Sequence, residues 1–154
     1  MKKITKHFRL LWIGLILLIS SSSFKEQTEV TGFSLTVEVK GLRNSNGVVV
    51  FALYNREDAF PDENYKKYFK ILTGRIMNGT SSVMFENLPQ GKYAVNVLHD
   101  ENNDGRIKKG LMLPLEGIGF SNYQSIGLTN RPSFDNAAFD LDKDLKVIVK
   151  VIYM

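Results

Sequence analysis

A two-residue period constrains this chain more than any other feature. Phe33, Leu35, Val37 and Val39 alternate with Ser34, Thr36, Glu38 and Lys40, and Leu145, Val147, Val149, Val151 and Tyr153 repeat at the same interval. Successive side chains of a strand point to opposite faces, so such segments fold as strands with one side on a core. Val48–Tyr54 is apolar on both faces, as a central strand is, and Lys92–His99 sets Tyr93, Val95 and Val97 on one face. Phe69–Met77 and Thr80–Phe85 flank Asn78-Gly79, a strong hairpin signal, and Ala137–Leu141 reads as a further strand. Asn44-Ser45-Asn46-Gly47 and Leu88-Pro89-Gln90-Gly91 read as turns. Asn55–Lys67 is polar and reads as a loop with one helical turn around Glu63–Lys67, and Asp100–Asn136 lacks clear periodicity. The pattern predicts an all-β chain, a single antiparallel β-sandwich of about seven strands over residues 33–154, without internal repeats.

The N-terminus supplies an address. Residues 2–9 are basic, Leu10–Ile19 is uninterrupted and apolar, and Ser20-Ser21-Ser22-Ser23 follows. A charged start, a short apolar core and small residues make a secretory signal peptide over residues 1–23, with 24–32 as a short linker. The apolar run falls short of the roughly 20 residues of a membrane-spanning helix, and a retained anchor is the alternative. No cysteine follows it, so lipid attachment as a lipoprotein is excluded. The expected location is periplasmic or secreted, with no stable membrane insertion after cleavage. In that setting Asn78-Gly79-Thr80 reads as a turn before it reads as a glycosylation sequon.

The formal charge of +4 comes from Lys2, Lys3, Lys6 and Arg9; from Phe24 onward 16 basic residues face 16 acidic ones. A neutral body argues against nucleic-acid binding, which needs concentrated positive charge. The absence of cysteine excludes disulfides, thiolate zinc sites and a cysteine nucleophile. Beyond the leader His99 is the single histidine, so no two- or three-histidine metal set forms within one chain. A serine needing a histidine base must use His99, yet Asp100 points to the opposite face and no Gly-x-Ser-x-Gly elbow exists. His99 therefore reads as a strand-end residue bonded to the adjoining loop.

One segment carries chemistry of its own. Asp100, Asn102 and Asp104 stand at i, i+2 and i+4, with Gly105 next, and Arg106 offers a backbone carbonyl at the seventh position. Ca²⁺ takes six to eight oxygens, and this spacing lets one tight loop supply several, as the first half of an EF-hand loop does. The twelfth position is Leu111 instead of a glutamate, which leaves Glu116 as the nearest replacement if the chain folds back. Arg106, Lys108 and Lys109 oppose the local negative charge, so any Ca²⁺ affinity falls in the weak extracellular range of about 10⁻⁴–10⁻³ M. The plain alternative is that Asn103-Asp104-Gly105 only turns the chain.

The connection from Leu111 to Ser133 is a second candidate. Long loops in compact domains are often functional, and this one combines Gly117, Gly119 and Gly127 with Phe120, Tyr123 and the adjoining Phe134. The two phenylalanines are expected to plug one end of the sandwich, leaving Asn122, Tyr123 and Arg131 exposed for a ligand.

Two resemblances add to this reading. Phe85-Glu86-Asn87-Leu88-Pro89-Gln90-Gly91-Lys92-Tyr93 resembles the strand–turn–strand signature of prealbumin-like and carboxypeptidase-regulatory-like sandwiches, with Ig-like architecture. His99-Asp100-Glu101-Asn102-Asn103-Asp104-Gly105, followed by Pro114-Leu115-Glu116-Gly117-Ile118-Gly119-Phe120-Ser121-Asn122, resembles the hallmark of domain of unknown function family 2141. The similarity runs from about Phe33 to Tyr153. It implies an exported single domain and no particular activity.

The resulting expectation is a non-enzymatic exported module that binds an envelope or extracellular molecule at its loop end, with Ca²⁺ ordering the loop. Two alternatives are a polymer hydrolase using Asp100, Asp104 and Glu116, and a structural subunit pairing through a sheet edge near Phe33–Lys40 or Leu145–Tyr153.

Overall fold

The computed structural model describes residues 32–107 and 115–154. The signal peptide, most of the linker, Leu111 and the first part of the aromatic loop lie outside the described residues. Eight strands form among the described residues: β1 (Phe33–Lys40), β2 (Val48–Tyr54), β3 (Lys70–Gly74), β4 (Thr80–Leu88), β5 (Gly91–Asp100), β6 (Gly117–Phe120), β7 (Phe139–Leu141) and β8 (Leu145–Lys150). A three-stranded sheet in the order β4-β1-β8 packs on a sheet in the order β3-β2-β5-β6, with β7 pairing the first residues of β5. This is the expected β-sandwich with one strand more than the sequence indicated. Among the described residues no helix is long and apolar enough to cross a membrane.

The period-two segments pack as their pattern dictates. Leu35, Val37 and Val39 of β1 meet Val49, Phe51 and Leu53 of β2 and Tyr93, Val95 and Val97 of β5 between the sheets, all essentially inaccessible. Each such side chain contributes about 1.5–3 kcal/mol when fully buried. The opposite residues of β2 and β5 are buried as well. Val50, Ala52 and Tyr54 with Ala94 and Leu98 join a second apolar cluster containing Phe60, Tyr65, Phe120, Tyr123 and Phe134. Loops thus cover the outer face of the five-stranded sheet, which is why β2 is apolar on both sides.

The Asn78-Gly79 turn forms as expected. Both residues have positive φ, 52° and 71°, and Met77 and Thr80 exchange backbone hydrogen bonds across it. Pro89-Gln90 carries the chain from β4 in one sheet to β5 in the other, and the Tyr93 hydroxyl donates to the Pro89 carbonyl (2.9 Å).

Several expectations are corrected. β1 pairs in parallel with β8, so the sandwich is only mostly antiparallel. β1 lies between β4 and β8 and is no edge, whereas β8 is one. Period two reports which face is wet, and it is silent about hydrogen bonding in the plane of the sheet. The helical turn falls at Glu57–Ala59, ahead of the 63–67 segment, because the Asp62 carboxylate takes the backbone amides of Asn64, Lys66 and Lys67 into a non-helical loop. Strand β3 is five residues long, shorter than Phe69–Met77.

Gly117 and Gly119, expected in a flexible loop, lie in β6. A Cβ on Gly119 would stand 2.5 Å from the Lys150 carbonyl oxygen and 2.9 Å from Val149 Cγ1. Glycine there lets the end of β8 approach the second sheet, and Ile152 beyond it exchanges two backbone bonds with Ile118 (2.7 and 3.0 Å). The C-terminal residues thereby border β6.

Candidate functional site

Strand β5 delivers Asp100 to the start of the carboxylate loop. Its side chain is buried, and its two oxygens accept the Asp104 and Gly105 amides (3.1 and 2.7 Å). Asn102 Oδ1 accepts the Asp104 amide (3.1 Å), and Asp104 Oδ1 accepts that of Arg106 (2.8 Å). The Asn102 amide group donates to Asp104 Oδ2 (2.8 Å). Gly105, with φ of 71°, makes the bend. The i, i+2, i+4 spacing therefore builds a ladder in which each side chain caps the amide two to five residues ahead. Glu116 does fold back: it is buried, and its Oε1 accepts the Glu101 amide (3.1 Å). Among the described residues no group of three or more His, Asp and Glu side chains is placed to hold a metal ion.

The inner side of the same strand end holds a polar network that the sequence did not reveal. His99 is fully buried, with Nε2 3.0 Å from the Asn46 carbonyl and Nδ1 2.7 Å from the Tyr153 hydroxyl. A carbonyl only accepts, so Nε2 carries a proton and donates it to Asn46, while Nδ1 pairs with the Tyr153 hydroxyl. His99 thus bonds to the loop before β2 and to the C-terminal tail, and Glu101 Oε1 of the loop after β5 stands 3.7 Å from its Nδ1. Arg43 grips Glu101 with Nε and Nη2 (2.6 and 2.7 Å), donates to the Leu115 carbonyl (3.0 Å), and lies 4.6 Å from the centre of the Tyr153 ring. The guanidinium holds the Glu101 carboxyl below its ordinary value, partly offset by burial, while burial pushes the Tyr153 hydroxyl up.

A depressed carboxylate contributes stability above its unfolded value, about 4.3, and loses it as pH falls through the lower folded value. Glu101→Gln is therefore expected to cost about 1 kcal/mol at pH 7 and much less at pH 3, measured by urea unfolding. An equal cost at both pH values would contradict the pairing with Arg43.

On the outer face of the five-stranded sheet the covering loops leave a cleft of about 820 Å³. Asn96, Ile118 and Phe120 line it from the sheet, with Pro61, Asp62 and Glu63 from one loop and Ile126, Gly127, Leu128, Arg131 and Pro132 from another; Ile107 and Met154 complete the lining. Asn96 is buried, accepts the Tyr65 hydroxyl (2.8 Å) and donates to the Asp62 carbonyl (3.4 Å). Burial raises the Tyr65 hydroxyl well above its ordinary value, so that group stays a donor. Both Asp62 oxygens are occupied by loop amides.

Of the three residues expected to be exposed in the aromatic loop, one differs. Asn122 and Arg131 are exposed, but Tyr123 is buried. Its ring packs edge-on to Phe120, 6.0 Å between centres, and its hydroxyl donates to the Arg131 carbonyl and accepts the Ser133 amide, both at 3.0 Å. A large ring gains more by covering the sheet than by facing water, provided its hydroxyl is satisfied. Phe120 and Phe134 are buried as expected, though on the outer face of a sheet instead of at an end. Asn122 donates to the carbonyls of Ala137 and Ala138 (3.2 and 2.9 Å), which ties down the loop. Of the expected ligand residues, Arg131 alone lines the cleft; Asp100, Asn102, Asp104, Arg106 and Glu116 gather at the neighbouring strand ends. Asn96 carried a visible signal, a lone amide within the apolar Tyr93–Leu98 run. Asp62 carried none.

The two packed sheets define a β-sandwich domain in which a clefted outer face adjoins a carboxylate loop. Residues 37–148 match the family described as an uncharacterised protein conserved in bacteria, domain of unknown function 2141, and the chain belongs to that family. No curated protein and no solved structure matches it.

Proposed function

We propose that this protein is an exported, non-enzymatic binding module whose ligand lies in the cleft on the outer face of the five-stranded sheet. The carrying observation is the cleft itself. Its volume of about 820 Å³ suits a small molecule, and its walls are mainly apolar with a few polar groups. Export rests on the leader pattern of residues 2–23. The non-enzymatic reading rests on the engagement of the carboxylates: Asp62 and Asp100 each hold loop amides with both oxygens. A neutral apolar fluorophore, N-phenyl-1-naphthylamine, is expected to bind at one site per chain with enhanced emission. Ile126→Asp on the cleft wall abolishes that binding while circular dichroism stays unchanged. Equal binding by the variant would contradict the assignment.

The same reading gives the Asp100–Arg106 loop a weak Ca²⁺ site that orders the neighbouring connection. This rests on the i, i+2, i+4 spacing of Asp100, Asn102 and Asp104, whose oxygens would exchange the loop amides they now accept for the cation. Ca²⁺ in severalfold excess over its dissociation constant is expected to raise the melting temperature by a few degrees, an effect lost in Asp104→Ala. No shift up to several millimolar would leave the segment as a turn.

A further inference from the structure

We infer that the cleft ligand is a single-chain carboxylate amphiphile, a free fatty acid, with Arg131 as the anchor of its head group; this rests on the cleft reading above. Four charged or amide side chains line the cleft: Asp62, Glu63, Asn96 and Arg131. Three are already engaged. Asp62 holds three loop amides, Asn96 joins Tyr65 to the Asp62 carbonyl, and Glu63 has a partner of its own.

Arg131 is different. Its backbone carbonyl is fixed by the Tyr123 hydroxyl, while its exposed guanidinium makes no hydrogen bond or ion pair among the described residues. The loop thus brings an unpaired cation into the lining of a cleft whose apolar walls include Ile118, Phe120, Ile126 and Pro132. A guanidinium fork matches a carboxylate or a phosphate in two parallel bonds. The charge balance selects between them. Arg131 is the only cation among the described lining residues, and Asp62 and Glu63 share the cleft with it. A singly charged head group places its one charge on Arg131, whereas a dianion brings a second charge toward Asp62 and Glu63. The apolar trough favours an unbranched hydrocarbon body over a sugar or a peptide, whose polar groups would find few partners.

The test compares cis-parinaric acid with its methyl ester by fluorescence enhancement, on the wild-type protein and on Arg131→Gln at low ionic strength. The wild type is expected to bind the acid about tenfold more tightly than the ester, the change made by one charge-assisted hydrogen bond. Arg131→Gln is expected to bind both probes with the affinity of the ester. Because Arg131 is exposed and its side chain has no partner among the described residues, the variant keeps its fold. Equal binding of acid and ester by the wild type would overturn the head-group assignment while leaving the apolar cleft standing. Discrimination that persists in Arg131→Gln would overturn it too. If neither probe binds, the cleft reading itself fails.

Discussion

Gly119→Ala is expected to destabilise the domain by about 3 kcal/mol, a fall of roughly 10 °C in melting temperature for a domain of this size. The reason is a backbone contact. The added methyl group would stand 2.5 Å from the Lys150 carbonyl oxygen, and a carbonyl at the end of a paired strand cannot turn aside as a side-chain tip can. Either β6 leaves β5 or the two sheets separate at the end where Val149 and Val151 close the core. Gly127 provides the control, for a Cβ there meets nothing within 4 Å and its φ lies outside the left-handed region. Gly127→Ala should be neutral or stabilising by about 0.4–1 kcal/mol, since it restricts the unfolded chain. Matching melting temperatures for the two variants would contradict this account of β6.

His99→Ala carries the second large effect, a loss of about 3 kcal/mol in urea unfolding. The change empties a fully buried site and leaves the Asn46 carbonyl and the Tyr153 hydroxyl without their ring partner. Tyr153→Phe removes a single hydroxyl and should cost about 1 kcal/mol. The two changes share a hydrogen bond, so their combined cost is expected to fall short of the sum. The effect also reaches the cleft. Tyr153 adjoins Met154 on the cleft wall and Ile152 at β6, so His99→Ala should speed hydrogen exchange at the Ile152 amide more than at Val37 in the core of β1. A cost below about 0.5 kcal/mol would mean that the tail is held without the histidine.

These two residues mark the boundary of what sequence patterning conveys. Strand β1 and the Asn78-Gly79 hairpin were readable because their signals are local: alternation over eight residues, and positive φ at two adjacent positions. The carboxylate ladder was readable for the same reason, since it closes within six residues. Strand β6 was not. Gly-Ile-Gly-Phe shows an alternation whose small members look like loop flexibility, when they admit a neighbouring backbone. The covering of the second sheet face was equally hidden. The apolar character of Val48–Tyr54 on both sides required some cover, but not that Phe60, Tyr123 and Phe134 would supply it. The cleft joins Asp62, Asn96 and Arg131, each more than thirty residues from the next, so tertiary packing alone brings them together.

The central claim is that the outer face of the five-stranded sheet binds a ligand, and an amide chemical-shift titration with N-phenyl-1-naphthylamine tests it most directly. The account predicts saturable shifts at Asn96, Ile118, Phe120 and residues 126–128, with none along β1 or β4. Shifts that fail to saturate, or that centre on the exposed side chains Met84 and Ile148 of the other sheet, would contradict it.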